Sequence, residues 1–125
     1  MPSTSLASRR VLIAEDELLI ALDLADSFEQ AGACILGPAS SIDSALSILQ
    51  AEADIQLAVL DLNLGGELAF PVAEALLERK IPIIFSTGYD DGLKMPQRFE
   101  HAIWLTKPVS GAAAVEIAKE MLFSG

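Results

Sequence analysis

The sequence has one cysteine and one histidine. A single cysteine cannot form an intramolecular disulfide, and a chain without a second histidine or a cysteine pair lacks the usual ligands of a zinc site. Cys34 stands beside Ala33 and Ile35, and this apolar setting predicts a buried, unreactive thiol. A disulfide scaffold is therefore excluded, and a zinc site is disfavoured.

Positive charge and long apolar runs are also scarce. Eight basic residues stand against 18 acidic ones, for a formal charge of -10. The pair Arg9 and Arg10 is too small to overcome that field, so we expect no nucleic-acid partner. No apolar run approaches the ~18 residues of a membrane helix, and three acidic residues from Glu15 interrupt the one candidate signal-peptide core. We expect a cytoplasmic protein with no membrane partner.

Short apolar runs alternate with amphipathic segments along the 125 residues, of which 52% are hydrophobic. This content fits one compact domain. Residues 1–8 are small and polar and predict a flexible lead-in, so the domain is expected to span residues 9–125. The predicted strands are Arg10–Ala14, Cys34–Leu36, Leu57–Leu60, Ile83–Phe85 and Ile103–Leu105.

Four segments have helical spacing, with apolar residues on one face of each. The faces are Leu18, Ala21, Leu22, Ala25 and Phe28; Ile42, Ala45, Leu46 and Leu49; Ala69, Val72, Ala73 and Leu76; and Ala114, Ile117, Ala118 and Met121. Between the fourth and fifth strands, Gly92 and Pro96 interrupt the expected fourth helix, which we predict to be short or irregular. The alternation predicts an α/β fold of five βα units with a doubly wound parallel sheet.

Local signals mark where these elements begin and turn. Ser41 and Ser110 are placed as helix N-caps, and Pro71 falls in the first turn of its helix. The pair Gly65 and Gly66 indicates a turn.

Polar side chains follow four of the predicted strands. Glu15 and Asp16 follow the first strand, Asp61 ends the third, Thr87 follows the fourth and Lys107 follows the fifth. Each residue alone would be an ordinary cap or a solvated loop residue. The carboxyl ends of parallel strands meet at one edge of the sheet, where ligands bind. The occurrence of these polar residues at four strand ends therefore predicts a functional site at that edge of the sheet.

Three carboxylates in one pocket repel each other unless a cation compensates them. Oxygen ligands suit Mg²⁺ or another divalent cation such as Mn²⁺. We expect Glu15, Asp16, Asp61 and the backbone carbonyl of Asn63 to hold one.

Four stretches resemble the receiver domains of two-component response regulators: Val11–Glu17, Leu57–Leu64, Phe85–Tyr89 and Leu105–Pro108. The resemblance implies a flavodoxin-like (βα)5 fold with strand order 2-1-3-4-5. The chain also looks like a subgroup of single-domain receivers with a Phe-Ala-Thr-Gly-rich motif, in which Ser86 here replaces the alanine.

The resemblance implies that Asp61 accepts a phosphoryl group from a sensor histidine kinase or a phosphotransfer protein. Asp61 is already ionised at neutral pH, since its reference pKa is ~3.9, and needs no general base. Thr87 and Lys107 would contact the phosphoryl oxygens. Such a protein assists its own phosphotransfer and dephosphorylation and is not otherwise an enzyme.

Phosphorylation is expected to change the surface around the last two strands. Thr87 would pull the loop that follows it inward, and Tyr89 or Trp104 would fill the vacated space. Trp104 stands three residues before Lys107, where a switching Tyr or Phe is usual in receivers. The alternative interpretation of Trp104 is an aromatic residue of the core with no switching role.

Other interpretations stay open at this point. An aspartyl-phosphate phosphatase usually has a second acidic residue two positions after the nucleophile, where Asn63 stands. A flavin-binding protein would need donors in the loop after the first strand, which is acidic. An interaction module could keep the fold without phosphorylation. We expect no DNA-binding domain in this chain, so output would occur through an unknown protein partner or a phosphorylation-dependent dimer.

Overall fold

The computed structural model describes residues 6–88, 96–99 and 102–123. The elements are β1 (Arg10–Ala14), α1 (Leu18–Gln30), β2 (Cys34–Ala39), α2 (Ile42–Ala51), β3 (Leu57–Asp61), β4 (Asn63–Leu64), β5 (Glu67–Leu68), α3 (Phe70–Glu78), β6 (Ile83–Thr87), β7 (Ile103–Thr106) and α4 (Gly111–Phe123). A short 3-10 turn covers Gln97–Phe99. No helix in the described ranges has both the length and the apolar character needed to cross a bilayer.

Five strands form one parallel sheet in the order β2-β1-β3-β6-β7. The predicted α/β class and five-stranded parallel sheet are confirmed. The predicted order 2-1-3-4-5 counted only the five apolar strands. The structure differs in that two further strands, β4 and β5, intervene in the chain and pair with each other.

The hairpin of β4 and β5 turns through Gly65 and Gly66, whose φ angles are 64° and 87°. Two consecutive residues with positive φ make the tight turn that suits a two-residue hairpin loop, and glycine adopts this conformation without a steric penalty. The predicted turn is confirmed. The hairpin strands were not predicted because each has only two residues.

Alternating side chains of the sheet enter two apolar clusters. Leu12, Leu60 and Phe85 belong to the cluster that α2 and α3 cover. Val11, Val59 and Ile84 belong to the cluster beneath α1 and α4. All four predicted apolar residues of the α3 segment are buried, which confirms that face.

The predicted apolar face of α1 is partly wrong. Leu18 and Leu22 are 69% and 54% exposed, whereas Leu24 is buried with Ala21 and Phe28. Apolar residues surround most of this helix, so spacing alone does not select the buried side. Contacts with the sheet and with α4 make that selection.

The predicted burial of Cys34 is also wrong. Its thiol is free and exposed, because Cys34 begins β2 and β2 lies at an edge of the sheet. Leu6 is fully buried, and its amide donates to the carbonyl of Ala31 at 2.9 Å. Packing thus reaches further toward the N-terminus than the predicted boundary at residue 9.

Helix ends follow the local signals. Ser41 accepts a hydrogen bond from the amide of Ser44 at 3.1 Å, and Ser110 accepts one from the amide of Ala113 at the same distance. Pro71 lies in the first turn of α3. These three predictions are confirmed. Most of the predicted irregular fourth helix lies outside the described residues; its described part, residues 96–99, contains the 3-10 turn.

Candidate functional site

The sheet brings the predicted carboxylates together at its carboxyl edge. Ala14 pairs with Leu60, so Glu15, which follows β1, and Asp61, which ends β3, are neighbours. Oxygen atoms of Glu15, Asp16 and Asp61 all lie within 4.8 Å of one another. Glu15 and Asp61 are buried, and Asp16 is exposed. The predicted convergence of these three residues is thus present in the folded chain.

Lys107 joins the cluster from the end of β7. Its Nζ atom lies 2.7 Å from Oδ2 of Asp61 and 3.3 Å from Oε2 of Glu15. Its amide donates to the carbonyl of Thr87 at 2.8 Å, which ties the lysine loop to the end of β6. Nζ also lies 3.3 Å from Oε2 of Glu17. Glu17 was not among the predicted site residues, although its position directly after the acidic pair was a usable signal.

The turn after β3 holds two of the carboxylates through backbone amides. The amide of Asn63 donates to Oδ1 of Asp61 at 3.0 Å, and the amide of Gly65 donates to Oδ2 of Asp16 at 3.1 Å. Asn63 itself is exposed at the start of β4. The β4–β5 hairpin therefore orients Asp16 and Asp61 through its backbone amides, while Leu64 anchors the hairpin in the apolar core.

A cleft of about 290 Å³ opens beside Asp61. Its lining residues are Asp16, Glu17, Asp61, Asn63, Gly88 and Lys107. Since one water takes ~30 Å³ of the liquid, the cleft has room for a small anion together with hydration waters. Asp61 is therefore buried by its neighbours and still reachable from one side.

Burial shifts the ionisation of the site. Burial raises the pKa of Glu15 to about 7, and a hydrogen bond with Asp61 adds to the rise. Burial also raises the pKa of Asp61, although the hydrogen bond from Lys107 opposes this. For Lys107, desolvation lowers the pKa, but the hydrogen bonds to Asp61 and Glu17 and the charges of Asp61 and Glu15 together outweigh it, so its pKa is raised. The buried carboxylates are thus short of positive charge.

The donor set fits a hard divalent cation. Every side-chain ligand in the cluster is a carboxylate oxygen, which Mg²⁺ prefers. Oε1 of Glu15 is buried and has no hydrogen-bond partner among the residues that the structure describes. Burying an unpaired carboxylate oxygen is energetically unfavourable unless a cation or a water molecule binds it.

Two further predicted residues, Thr87 and Trp104, lie in β6 and β7. Thr87 is buried as the last residue of β6. The Trp104 ring stacks on Phe85 with centroids 4.1 Å apart, and its Nε1 donates to the carbonyl of Phe99 at 3.4 Å. Trp104 is thus half-buried against the core, and its switching role stays a prediction. Tyr89 lies outside the described residues.

Comparisons with known proteins agree with this geometry. No protein-family model matches the chain. The chain is 30% identical over 115 residues to the phyllosphere-induced regulator PhyR of Methylorubrum extorquens, a match that covers 90% of this chain and 43% of PhyR. The chain therefore spans less than half the length of that relative.

Two solved structures cover almost the whole chain. SdrG from Sphingomonas melonis Fr1 is 36% identical with a TM-score of 0.75, and the match covers 97% of this chain and 99% of SdrG. The receiver domain of the PhyR response regulator from Erythrobacter litoralis is 30% identical with a TM-score of 0.77, covering 94% of this chain and 93% of that domain. This chain belongs to the response-regulator receiver domains.

Proposed function

We propose that this chain is a signalling switch in which Asp61 accepts a phosphoryl group from a sensor histidine kinase or a phosphotransfer protein. Its family supports a response-regulator role in general. One observation carries the acceptor assignment: Asp61 is 1% exposed, yet lines an open cleft with the Lys107 ammonium 2.7 Å away.

The transfer needs little proton chemistry. An oxygen of the Asp61 carboxylate donates an electron pair to phosphorus, and the bond from phosphorus to the donor's nitrogen breaks with its electron pair remaining on nitrogen. An anion attacks an anion in this step, so charge neutralisation and positioning supply most of the catalysis. Lys107 provides the positive charge, and the Asn63 amide holds the carboxylate in place.

Glu15, Asp16, Asp61 and the backbone carbonyl of Asn63 would hold the Mg²⁺ ion, or a similar divalent cation. The bound cation supplies further charge neutralisation at the phosphoryl oxygens. The single positive charge of Lys107 is shared among Glu15, Glu17 and Asp61. The additional positive charge of a bound cation would balance these carboxylates.

Output follows from the new contacts of the phosphoryl group. The Thr87 hydroxyl donates to a phosphoryl oxygen, which draws the end of β6 toward Asp61 and alters the surface around β6 and β7. Trp104 lies in β7 beside β6, and its ring is the aromatic side chain that we expect to move when β6 shifts. A downstream protein or a second copy of the chain would read the altered surface.

Acetyl phosphate with Mg²⁺, followed by intact-mass analysis, tests the proposal. We expect the wild type to gain one phosphoryl group and Asp61→Asn to gain none. Asp43→Asn is the matched control, because Asp43 is an exposed carboxylate on α2, and it should gain mass like the wild type. A gain that persists in Asp61→Asn would refute the acceptor assignment. A wild type without any gain would favour an interaction module that keeps the fold without phosphorylation.

A further inference from the structure

Ser86 carries a buried hydroxyl that the proposed function does not use. The residue is 1% exposed in β6, and its Oγ atom has no hydrogen-bond partner within residues 6–88, 96–99 and 102–123. Buried polar atoms in folded proteins are nearly always paired, so an unpaired hydroxyl calls for an explanation. An alanine would fill the same place without that cost.

The sheet places this hydroxyl beside the acceptor. Asp61 and Ser86 are paired residues of the neighbouring parallel strands β3 and β6. Strands lie ~4.8 Å apart, and paired positions direct their side chains to the same face of the sheet. Ile84, two residues before Ser86, and Val59, two before Asp61, share one apolar cluster, which agrees with that placement.

The neighbours on either side of Ser86 leave Asp61 as its polar partner within the sheet. On the other side of β6, Ser86 pairs with Leu105 of β7, whose side chain accepts no hydrogen bond. A carboxylate offers about four acceptor positions. The Asn63 amide and the Lys107 ammonium take two of those on Asp61. A serine side chain rotates among three staggered positions, so its hydroxyl can turn toward an acceptor in the next strand.

We propose that Ser86 is a positioning residue that donates a hydrogen bond to the Asp61 carboxylate and shortens the lifetime of the phosphorylated state. This inference rests on the proposed function. In hydrolysis, a water oxygen bonds to phosphorus, the bond from phosphorus to the Asp61 oxygen breaks, and its electron pair stays on Asp61. The proton that water loses passes to the phosphate product or to solvent.

The direction of the effect follows from where charge appears. As the bond to phosphorus breaks, the Asp61 oxygen changes from the bridging oxygen of an acyl phosphate to part of a charged carboxylate. Hydrogen bonds to charged acceptors are roughly twice as strong as those between neutral groups. The Ser86 hydroxyl therefore stabilises the departing carboxylate more than the phosphorylated form, which speeds loss of the phosphoryl group.

The test compares Ser86→Ala, which removes the hydroxyl, with Ser86→Thr, which restores it. After phosphorylation with acetyl phosphate and removal of the donor, intact mass follows the decay. We expect Ser86→Ala to decay about fivefold more slowly than the wild type, as the loss of one hydrogen bond implies. Ser86→Thr should decay near the wild-type rate. Ser47→Ala, at an exposed position of α2, is the control and should match the wild type.

A second readout needs neither phosphorylation nor metal. The carboxyl carbon resonance of Asp61, assigned by its absence in Asp61→Asn, should shift in Ser86→Ala and return toward its wild-type position in Ser86→Thr. Equal slowing of decay in both variants would show a packing effect and overturn the inference. Wild-type decay and an unchanged resonance in Ser86→Ala would also overturn it.

The failure of this inference is distinguishable from that of the proposed function. If the wild type gains no phosphoryl group, the proposed function fails and the role of Ser86 in hydrolysis fails with it. If the wild type is phosphorylated and Ser86→Ala behaves identically, only the role of Ser86 fails.

Discussion

The ammonium of Lys107 donates to Oδ2 of Asp61 across 2.7 Å, and the same nitrogen lies 3.3 Å from both Glu15 and Glu17. One cation thus serves three carboxylates, with Asp16 close by. We expect charge repulsion in this cluster to lower the stability of the metal-free protein.

Replacing the Asp61 carboxylate should stabilise the metal-free protein. Burial raises the pKa of Asp61, so the folded state holds the ionised form less favourably than the unfolded chain does. Asp61→Asn removes that charge while Lys107 keeps two carboxylate partners. We expect the free energy of unfolding at pH 7 to rise, because the neutral amide is buried at a lower desolvation cost than the carboxylate.

Urea titration in the presence of a chelator measures this difference. The control Asp43→Asn, on the exposed side of α2, should change stability by less than about 0.5 kcal/mol. A less stable Asp61→Asn would show that the ion pair with Lys107 outweighs the repulsion.

The stability of the metal-free protein should fall as pH rises from about 4.5 to about 7. These values are the ordinary pKa of Glu15 and its raised pKa in the folded state. The folded protein retains this proton over that window while the unfolded chain has already lost it, so stability declines with rising pH. The stabilisation is complete below the lower value and lost above the upper one.

Glu15→Gln should flatten that decline when unfolding free energies are measured from pH 4 to pH 8. Asp61 shifts in the same direction and leaves a smaller slope. An unchanged slope in Glu15→Gln would place the titrating proton elsewhere.

Glu17→Gln should speed phosphorylation by acetyl phosphate roughly twofold to fivefold, because it removes one negative charge from the path of an anionic donor. It also frees Lys107 from one competing partner. The Glu17 side chain in its ion pair with Lys107 is mostly exposed to solvent. The free energy of unfolding should therefore change by less than about 1 kcal/mol. The initial rate of mass gain checks this, with Glu29→Gln on the exposed surface of α1 as control. Slower phosphorylation would mean that Glu17 helps to position Lys107.

Gly111→Ala should destabilise the protein by about 1–3 kcal/mol through overpacking. An added Cβ at Gly111 would lie 2.4 Å from Oγ of Ser27 and 2.6 Å from the carbonyl of Asp23, so α4 could no longer approach α1 closely. The Gly111 amide, which donates to the Asp23 carboxylate at 2.7 Å, would be displaced. Thermal unfolding measures the loss. Ala112→Ser, one residue further and exposed, should behave like the wild type.

Trp104 is the one tryptophan in the sequence, so its fluorescence reports on one place. The ring stacks on Phe85 at the edge of the core. If Trp104 is a switch residue, phosphorylation should change its emission and its quenching by acrylamide. Asp61→Asn treated identically is the control and should show no change. An identical spectrum before and after phosphorylation of the wild type would make Trp104 a core aromatic only.

Much of the fold and the candidate site could be predicted from local pattern. The five apolar runs predicted the five sheet strands because buried parallel strands are apolar on both faces. Glu15, Asp16, Asp61 and Lys107 were predicted to converge because parallel strands end at one edge. The three helix-start residues were recognisable because caps act within one turn of the chain.

Tertiary contacts decided the rest. Whether Leu22 or Leu24 of α1 is buried, and whether Cys34 is covered, depended on which elements pack beside them. The ion pairs of Lys107 join residues 46 and 92 positions away in the chain. No local period encodes such distances. The placement of the Ser86 hydroxyl beside Asp61 likewise depends on strand register, which is set by long-range pairing and burial. Local pattern thus placed the five strands of the parallel sheet and the chemical groups at their ends, whereas long-range packing selected which of those groups are in contact.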